Sequence, residues 1–294
     1  MMLFGAIEAG GTKCVCAVGN EQAEILASTV LLTEGPVETF DQIASFFKDY
    51  DLKGIGIGMF GPIHLNPTDR DYGKLMQTPK QAWRGFNVYR HARDLFKVPV
   101  KLDTDVNVAA LAESVFGAAK EAKSCLYMTV GTGIGAGYVK DGRAHIGTYH
   151  PEMGHMFVNQ HPDDPFAGVC PSHGNCLEGL ASGPSLEARY GKSGKALSDV
   201  DQVWEMEAYY LAQAVVNQIL MLSPEKIILG GGVMKQRQLL SMVQAEVVRL
   251  LNGYVPIDDV TRLLVAPELS DRQGIIGALS LVIKDGNFTD KNEW

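Results

Sequence analysis

The chain of 294 residues carries 26 Lys and Arg against 34 Asp and Glu, a formal net charge of −8, which disfavours nucleic acid as a partner because phosphate neutralisation needs clustered basic residues. Its 46% hydrophobic and 20% charged residues are an ordinary globular balance, with no apolar run of about eighteen residues that could span a bilayer, so no membrane partner is expected. Five cysteines, an odd number, do not read as a disulfide framework, and the opening MMLFGAIEAGG has neither a basic leader nor a cleavage site, which makes the cytoplasm the expected address.

The length favours two lobes over one core. Apolar runs at 3–7 and 14–18 flank the polar, glycine-rich Glu8-Ala9-Gly10-Gly11-Thr12-Lys13 and predict a hairpin with an unusual turn. Phe40, Ile43 and Phe47 recur at helical spacing after Pro36, which predicts a helix over 37–49, with a strand following at 55–60. The Pro- and Gly-rich stretch 66–87 predicts a long ordered loop of the kind that carries function. A strand at 98–103 runs into Asp105, and the Ala-rich stretch 106–117 predicts a helix ending at Gly117. Leu126 to Val130 reads as a buried strand, followed by Gly131-Thr132-Gly133-Ile134-Gly135-Ala136-Gly137 and a second strand, which repeats the order of the opening hairpin. Helices are predicted at 178–190 and 203–222, a strand at 226–229 ending in Gly230-Gly231-Gly232, and closing helices near 236–252 and 274–284.

Glycine turns let backbone N–H groups reach phosphate oxygens with no Cβ in the way, and Gly10, Gly11, Thr12 and Lys13 add a hydroxyl and a charge. Neither this cluster nor 131–137 has P-loop spacing or the strand, GxGxxG and helix order of a dinucleotide fold. Three glycine clusters, at 10–11, 131–137 and 230–232, each follow an apolar strand, and they could converge on one triphosphate from both sides of a cleft. Phosphoryl transfer to a hydroxyl needs a carboxylate to take its proton. Asp105 is the candidate base; the alternatives are that it only caps the following helix, or that Asp103 holds the role.

His155, Cys170, His173 and Cys176 have the spacing His-x14-Cys-x2-His-x2-Cys, two thiols and two imidazoles suited to a structural, tetrahedral Zn2+ with no open position. His150 and His161 compete for the first place. Such an ion would tether the segment after Glu152 to the helix start at Glu178 and present both carboxylates, good acceptors for vicinal hydroxyls, to one cleft.

With these residues in place the sequence resembles the ROK family of sugar kinases over nearly its whole length. The resemblance rests on Glu8 to Lys13, Thr104-Asp105-Val106-Asn107, Gly131 to Gly137, Glu152-Met153-Gly154-His155 and the Cys-His-Cys loop ending in Cys176-Leu177-Glu178. It implies an α/β, two-lobed actin/hexokinase-like (ribonuclease H-like) ATPase fold with an interlobe cleft. A smaller N-terminal lobe would span 1–117 and a larger C-terminal lobe 118–294, with the last helix free to pack back on the first. It implies Asp105 as general base, and Gly61, Pro62, Thr104, Glu152, His155 and Glu178 at the sugar. Gly10, Gly11, Thr12, Lys13, Thr132, Gly133, Pro184, Gly230, Gly231 and Gly232 would bind ATP with Mg2+, the first two turns at the β- and γ-phosphates and the third beside the adenosine.

Three departures mark the chain: Glu8 where the family usually has Asp, His173 in a loop usually richer in Cys, and Thr104 for a usual Asn. These three, with Thr78-Pro79-Lys80-Gln81-Ala82-Trp83, resemble the fructokinase branch. The expected function is phosphorylation of D-fructose by ATP at the 6-hydroxyl, in a cytoplasmic homodimer. The alternatives are a kinase for mannose, glucose or an N-acetylated hexosamine, and a sugar-responsive ROK transcription regulator. The regulator would need a DNA-binding module ahead of a phosphate turn that here starts at residue 8.

Overall fold

A computed structural model describes residues 1–283; residue 284, the expected end of the closing helix, and the chain on to 294 lie outside the described residues. The chain forms two compact units: Met1–Val115, Val139–Pro151 and the chain from Arg272 make the first, Phe116–Tyr138 and Glu152–Asp271 the second. The first cut lies close to residue 117, but two later segments return to the first unit.

In the first unit β1 (Leu3–Ala9), β2 (Lys13–Gly19), β3 (Ile25–Leu32), β4 (Leu52–Met59) and β5 (Val100–Thr104) form one sheet in the order β3-β2-β1-β4-β5. The β1–β2 and β2–β3 pairs are antiparallel, and β1–β4 and β4–β5 are parallel. Helices α1 (Pro36–Phe47), α2 (Val88–Phe96) and α3 (Asp105–Phe116) complete its first segment.

The sequence of β4, Leu-Lys-Gly-Ile-Gly-Ile-Gly-Met, shows how the unit is built. A strand turns alternate residues to opposite faces, so Ile55, Ile57 and Met59 join Phe40, Ile43 and Phe47 of α1 and Val88 and Ala92 of α2 in one core. Gly54, Gly56 and Gly58 occupy the other face. A Cβ on Gly54 would touch Val282, one on Gly56 would overlap the carbonyl oxygen of Ala278, and one on Gly58 would press on Val108. Helix α9 (Gln273–Ile283) therefore lies directly on the backbone of β4, beside α3. This contact brings the chain from Arg272 into the first unit. Segment 139–151 belongs there for a similar reason: Ile146 packs against the same core, and the Ile63 N–H donates to His150 Nε2 at 3.1 Å. Gly56→Ala is expected to cost about 3 kcal/mol or more, because the obstacle is backbone rather than a side chain that can turn away. An unchanged urea midpoint for that variant would contradict the seating of α9.

The stretch 66–87 is a loop held by two isolated bridges, Ile63 with Leu75 and Lys74 with Asn87, and by one 3-10 turn at Gln81–Trp83. Trp83 anchors it, buried against Phe40, Phe60 and Phe86 at ring separations of 5.4–6.4 Å, with its Nε1–H donating to the Glu34 carbonyl at 2.7 Å. Two elements of this unit carried no expectation from the sequence: the edge strand β3, half exposed along its length, and α2, which Asn87 caps by accepting the Arg90 N–H at 2.8 Å.

The second sheet has the order β10-β9-β6-β7-β8, from β6 (Ser124–Val130), β7 (Ile134–Lys140), β8 (Arg143–Ala144), β9 (Lys226–Gly230) and β10 (Leu264–Val265). The helices of the second unit are α4 (Leu177–Ala181), α5 (Gly183–Tyr190), α6 (Asp201–Leu222), α7 (Leu239–Leu251) and α8 (Val260–Leu263). Trp204, Tyr210 and Leu211 of α6 pack with Leu126, Met128, Ile227 and Leu229 of the sheet. The helix expected over 178–190 is two helices. Ser182 leaves the helical region at φ −82, ψ 166 and caps α5 by accepting the Ser185 N–H. Among the described residues no helix is long and apolar enough to cross a membrane.

Candidate functional site

In the first unit three neighbouring parallel strands end side by side: Ala9 of β1 pairs with Met59 of β4, and Met59 with Thr104 of β5. Their carboxyl ends, the usual location of ligands in sheets of this kind, lead into the Gly10–Lys13 turn, the Gly61–Pro62 pair and Thr104–Asp105. The Gly10 N–H donates to the Lys13 carbonyl at 3.0 Å and closes the turn. Thr33, which carried no signal in the sequence, braces it: its hydroxyl donates to the Gly10 carbonyl at 2.8 Å, and its N–H to the Thr12 carbonyl at 3.1 Å. Gly11, Thr12 and Lys13 are exposed. A side chain on Gly274 in the first turn of α9 would overlap the carboxyl group of Glu8, so the longer acid leans on that helix end, where negative charge is favoured.

Helix α3 starts at Asp105 itself, and the residue that caps it is Thr104, whose hydroxyl accepts the Asn107 N–H at 3.2 Å. Asp105 is thereby relieved of the capping role. Its Oδ1 accepts the neighbouring Val106 N–H at 2.9 Å. Burial pushes its carboxyl up to about 6 against the opposing pull of backbone N–H groups. Asp103 is committed elsewhere. One of its oxygens accepts both the Thr104 N–H and the Asn107 side-chain amide, each at 2.7 Å, which fixes the corner between strand and helix. Thr104 is buried.

In the second unit β6 and β9 are parallel neighbours, with Thr129 opposite Gly230, so the 131–133 and 230–232 turns leave the sheet side by side. Gly231 has φ +94, and a Cβ there would overlap Val130 backbone atoms, so glycine is required. The first turn of α5 reaches the same place: the Gly183 N–H donates to the Gly131 carbonyl at 2.7 Å, with Pro184 next in the helix. Thr132, Pro184 and Gly232 are exposed. Thus all the nucleotide candidates of this unit are brought together.

Glu178 joins this turn to a second cluster. One of its oxygens accepts the Ile134 N–H at 2.9 Å, and the other lies 3.9 Å from His155 Nε2. His155 ends the 3-10 turn Met153–His155, which is pressed onto β7 because a side chain on Gly154 would overlap the Ile134 carbonyl. Glu152, just before that turn, is exposed.

His155, Cys170, His173 and Cys176 bring one ligand atom each to within 4.8 Å of one another. Cys170 Sγ lies 3.6 Å from His155 Nδ1 and 3.7 Å from His173 Nδ1, and Cys176 Sγ lies 3.6 Å from His155 Nδ1. Sulfur and nitrogen bound at about 2.3 and 2.05 Å on a tetrahedral ion would be about 3.6 Å apart. Burial pushes the Cys176 thiol up to about 11, with Cys170 and Glu178 adding to the rise. Two adjacent thiols beside a carboxylate call for a cation, and the donor set fits one. His155 turns Nδ1 toward the thiols and Nε2 toward Glu178. His150 is held in the first unit by Ile63, and His161 Nδ1 accepts the Asp163 N–H at 3.2 Å, so neither enters the set.

Two α/β units, each with glycine turns at the ends of parallel strands, place the molecule in the class of actin- and hexokinase-like proteins. The ROK hexokinase of Thermus thermophilus matches it with a TM-score of 0.77 at 26% identity, over 95% of this chain and 97% of that one. The chain belongs to the ROK family, whose model matches residues 4–285. It is 44% identical to a fructokinase of Pediococcus pentosaceus over 280 residues, 95% of this chain and 97% of the relative. It is 41% identical to a fructokinase of Streptococcus mutans over 288 residues, 96% and 98% of the two chains.

Proposed function

We propose that the chain is an ATP-dependent fructokinase that phosphorylates D-fructose at its 6-hydroxyl to give fructose 6-phosphate. The observation that carries the mechanism is the freeing of Asp105 by Thr104, which leaves a carboxylate with raised proton affinity at the carboxyl end of a parallel sheet. Asp105 takes the 6-hydroxyl proton as that oxygen bonds to the γ-phosphorus, while the bond from the γ-phosphorus to the β,γ-bridging oxygen breaks and ADP leaves with its electron pair. Gly10 to Lys13, Thr132, Gly133 and Gly230 to Gly232 supply N–H groups, two hydroxyls and a cationic side chain to ATP, Pro184 lends its ring as an apolar contact, and Mg2+ would neutralise the phosphates. Glu152, His155 and Glu178 accept or donate hydrogen bonds to the sugar hydroxyls, and Gly61 and Pro62 shape the sugar's seat. The Cys and His cluster holds a structural Zn2+ that supplies folding energy and no chemistry.

The deciding experiment is a hexose panel with Mg-ATP, reading kcat/KM for fructose, mannose, glucose and N-acetylglucosamine. Fructose is expected to lead by at least about tenfold, the discrimination that a well-placed hydroxyl contact provides. A lead for another sugar would replace fructose, and no ATP consumption with any of them would end the kinase reading. We place the enzyme in the cytoplasm as a homodimer; light scattering that reads a monomer at assay concentration would remove the dimer.

A further inference from the structure

Arg189 leaves α5 one residue before its end and runs into the interior of the second unit. Its Nη2 donates to the Leu180 carbonyl at 2.7 Å and lies 3.2 Å from Asp164 Oδ2, in an ion pair whose side chains are 7% and 3% exposed. Its guanidinium carbon lies 4.5 Å from the ring centre of Phe166 and 5.6 Å from that of Tyr210, whose hydroxyl donates to the same Asp164 oxygen at 2.6 Å. Glu207 of α6 is also buried, with neither carboxyl oxygen partnered, and burial raises its proton affinity well above the ordinary value. Among the described residues Asp164 is the carboxylate in ion-pair range of Arg189, whose charge also acts on Glu207 and opposes that rise.

A buried ion pair is seldom a better stabiliser than apolar residues of the same size. What this one fixes is geometry, because its contacts lie on three separate pieces of the proposed site. Leu180 is in α4, which carries Glu178. Arg189 is in α5, whose first turn meets the Gly131 turn. Asp164 and Phe166 lie in a segment tied by Gln160, whose Nε2 donates to both their carbonyls at 2.9 and 2.6 Å while its Oε1 accepts from Asn175, next to Cys176.

We propose that Arg189 is a positioning residue that locks the sugar-side helix α4 and the nucleotide-side helix α5 to the wall of the Cys and His loop, holding both groups of contacts in register. It rests on the kinase reading above for the identity of the two ligands. An Arg suits this place better than a Lys because its flat guanidinium covers the Phe166 ring while Nη2 reaches both the Leu180 carbonyl and Asp164, an arrangement a compact ammonium on a flexible stem does not reproduce.

The test compares wild type, Arg189→Lys and the double variant Arg189→Met with Asp164→Asn, which removes both charges at once. Calorimetric titration gives the Kd for fructose and for a non-hydrolysable ATP analogue, and thermal melting reports folding. Both ligands are expected to bind at least about tenfold more weakly to the double variant, with its Tm within a few degrees of wild type, and at least about fivefold more weakly to Arg189→Lys. Binding of both ligands within twofold of wild type by a folded variant would overturn the proposal, and Arg189→Lys decides it if the double variant does not fold. A wild-type protein that binds the analogue but phosphorylates no hexose would defeat the kinase reading while leaving the Arg189 comparison of analogue binding intact. If wild type binds neither ligand, the rate at which a chelator strips zinc from the purified proteins decides: a rise of at least about tenfold in the variants supports the lock, and an unchanged rate removes it.

Discussion

Asp105→Asn is expected to lower kcat by about 10²–10⁴-fold, the range a positioned general base provides, while fructose still binds. The asparagine oxygen can keep the bond from the Val106 N–H, so the corner between β5 and α3 should survive the change. Burial pushes Asp103 as well as Asp105 up to about 6, so the pH dependence identifies the group only when both asparagine variants are compared. A base must be ionised to act, and burial pushes the Asp105 carboxyl up to about 6, so kcat/KM should be level above that pH and fall about tenfold per unit below it. In the asparagine variant this acid limb should vanish. Stability should move the other way: a carboxyl whose folded pKa lies above its unfolded value stabilises fully only below the unfolded value, and that contribution is lost as pH rises toward 6. At pH 7 the asparagine variant should therefore be more stable, on the order of 2 kcal/mol. Near-normal turnover for Asp105→Asn, read beside an Asp103→Asn control, would remove the base assignment.

Removal of the metal is expected to have an effect of similar size. Zinc bound by Cys and His contributes about 10–16 kcal/mol of folding energy in small peptides, where no core competes with it. Here the cores of both units stand without it, so far-ultraviolet circular dichroism should change little. The ligands run from His155 to Cys176, and Glu178 follows at once, so losing the ion should release the loop and with it the sugar contacts. Strong chelation, or Cys176→Ser, should cut fructose kcat/KM by at least about a hundredfold, with about one zinc per active chain measured before treatment. A metal-free preparation with full activity would remove the zinc assignment.

Much of the fold was legible because its signals are local. The apolar runs before each glycine turn became β1, β6 and β9, and the Phe40, Ile43 and Phe47 spacing became α1. The His, Cys, His and Cys spacing was legible for the same reason, since three of the four residues lie within one short loop. What could not be read were facts that depend on distant partners. Which of Asp103 and Asp105 is free depends on Thr104 and Asn107, and the alternation of β5 leaves that open. Thr33 reaches the Gly10 turn from the far end of β3, and the Arg189 and Asp164 pair is joined only in the folded chain. The break at Ser182 did have a local sign, a capping Ser followed by Pro184 in the first turn, which the expectation of one helix over 178–190 passed over.

The bare face of β4 has one more consequence, for the order of events during synthesis. Gly54, Gly56 and Gly58 leave the ribosome long before the helix that covers them, so the amino-terminal sheet must wait with that groove open until α9 arrives. The nascent first unit is in this sense a lock whose bolt is made last, and its late completion is written into three missing side chains.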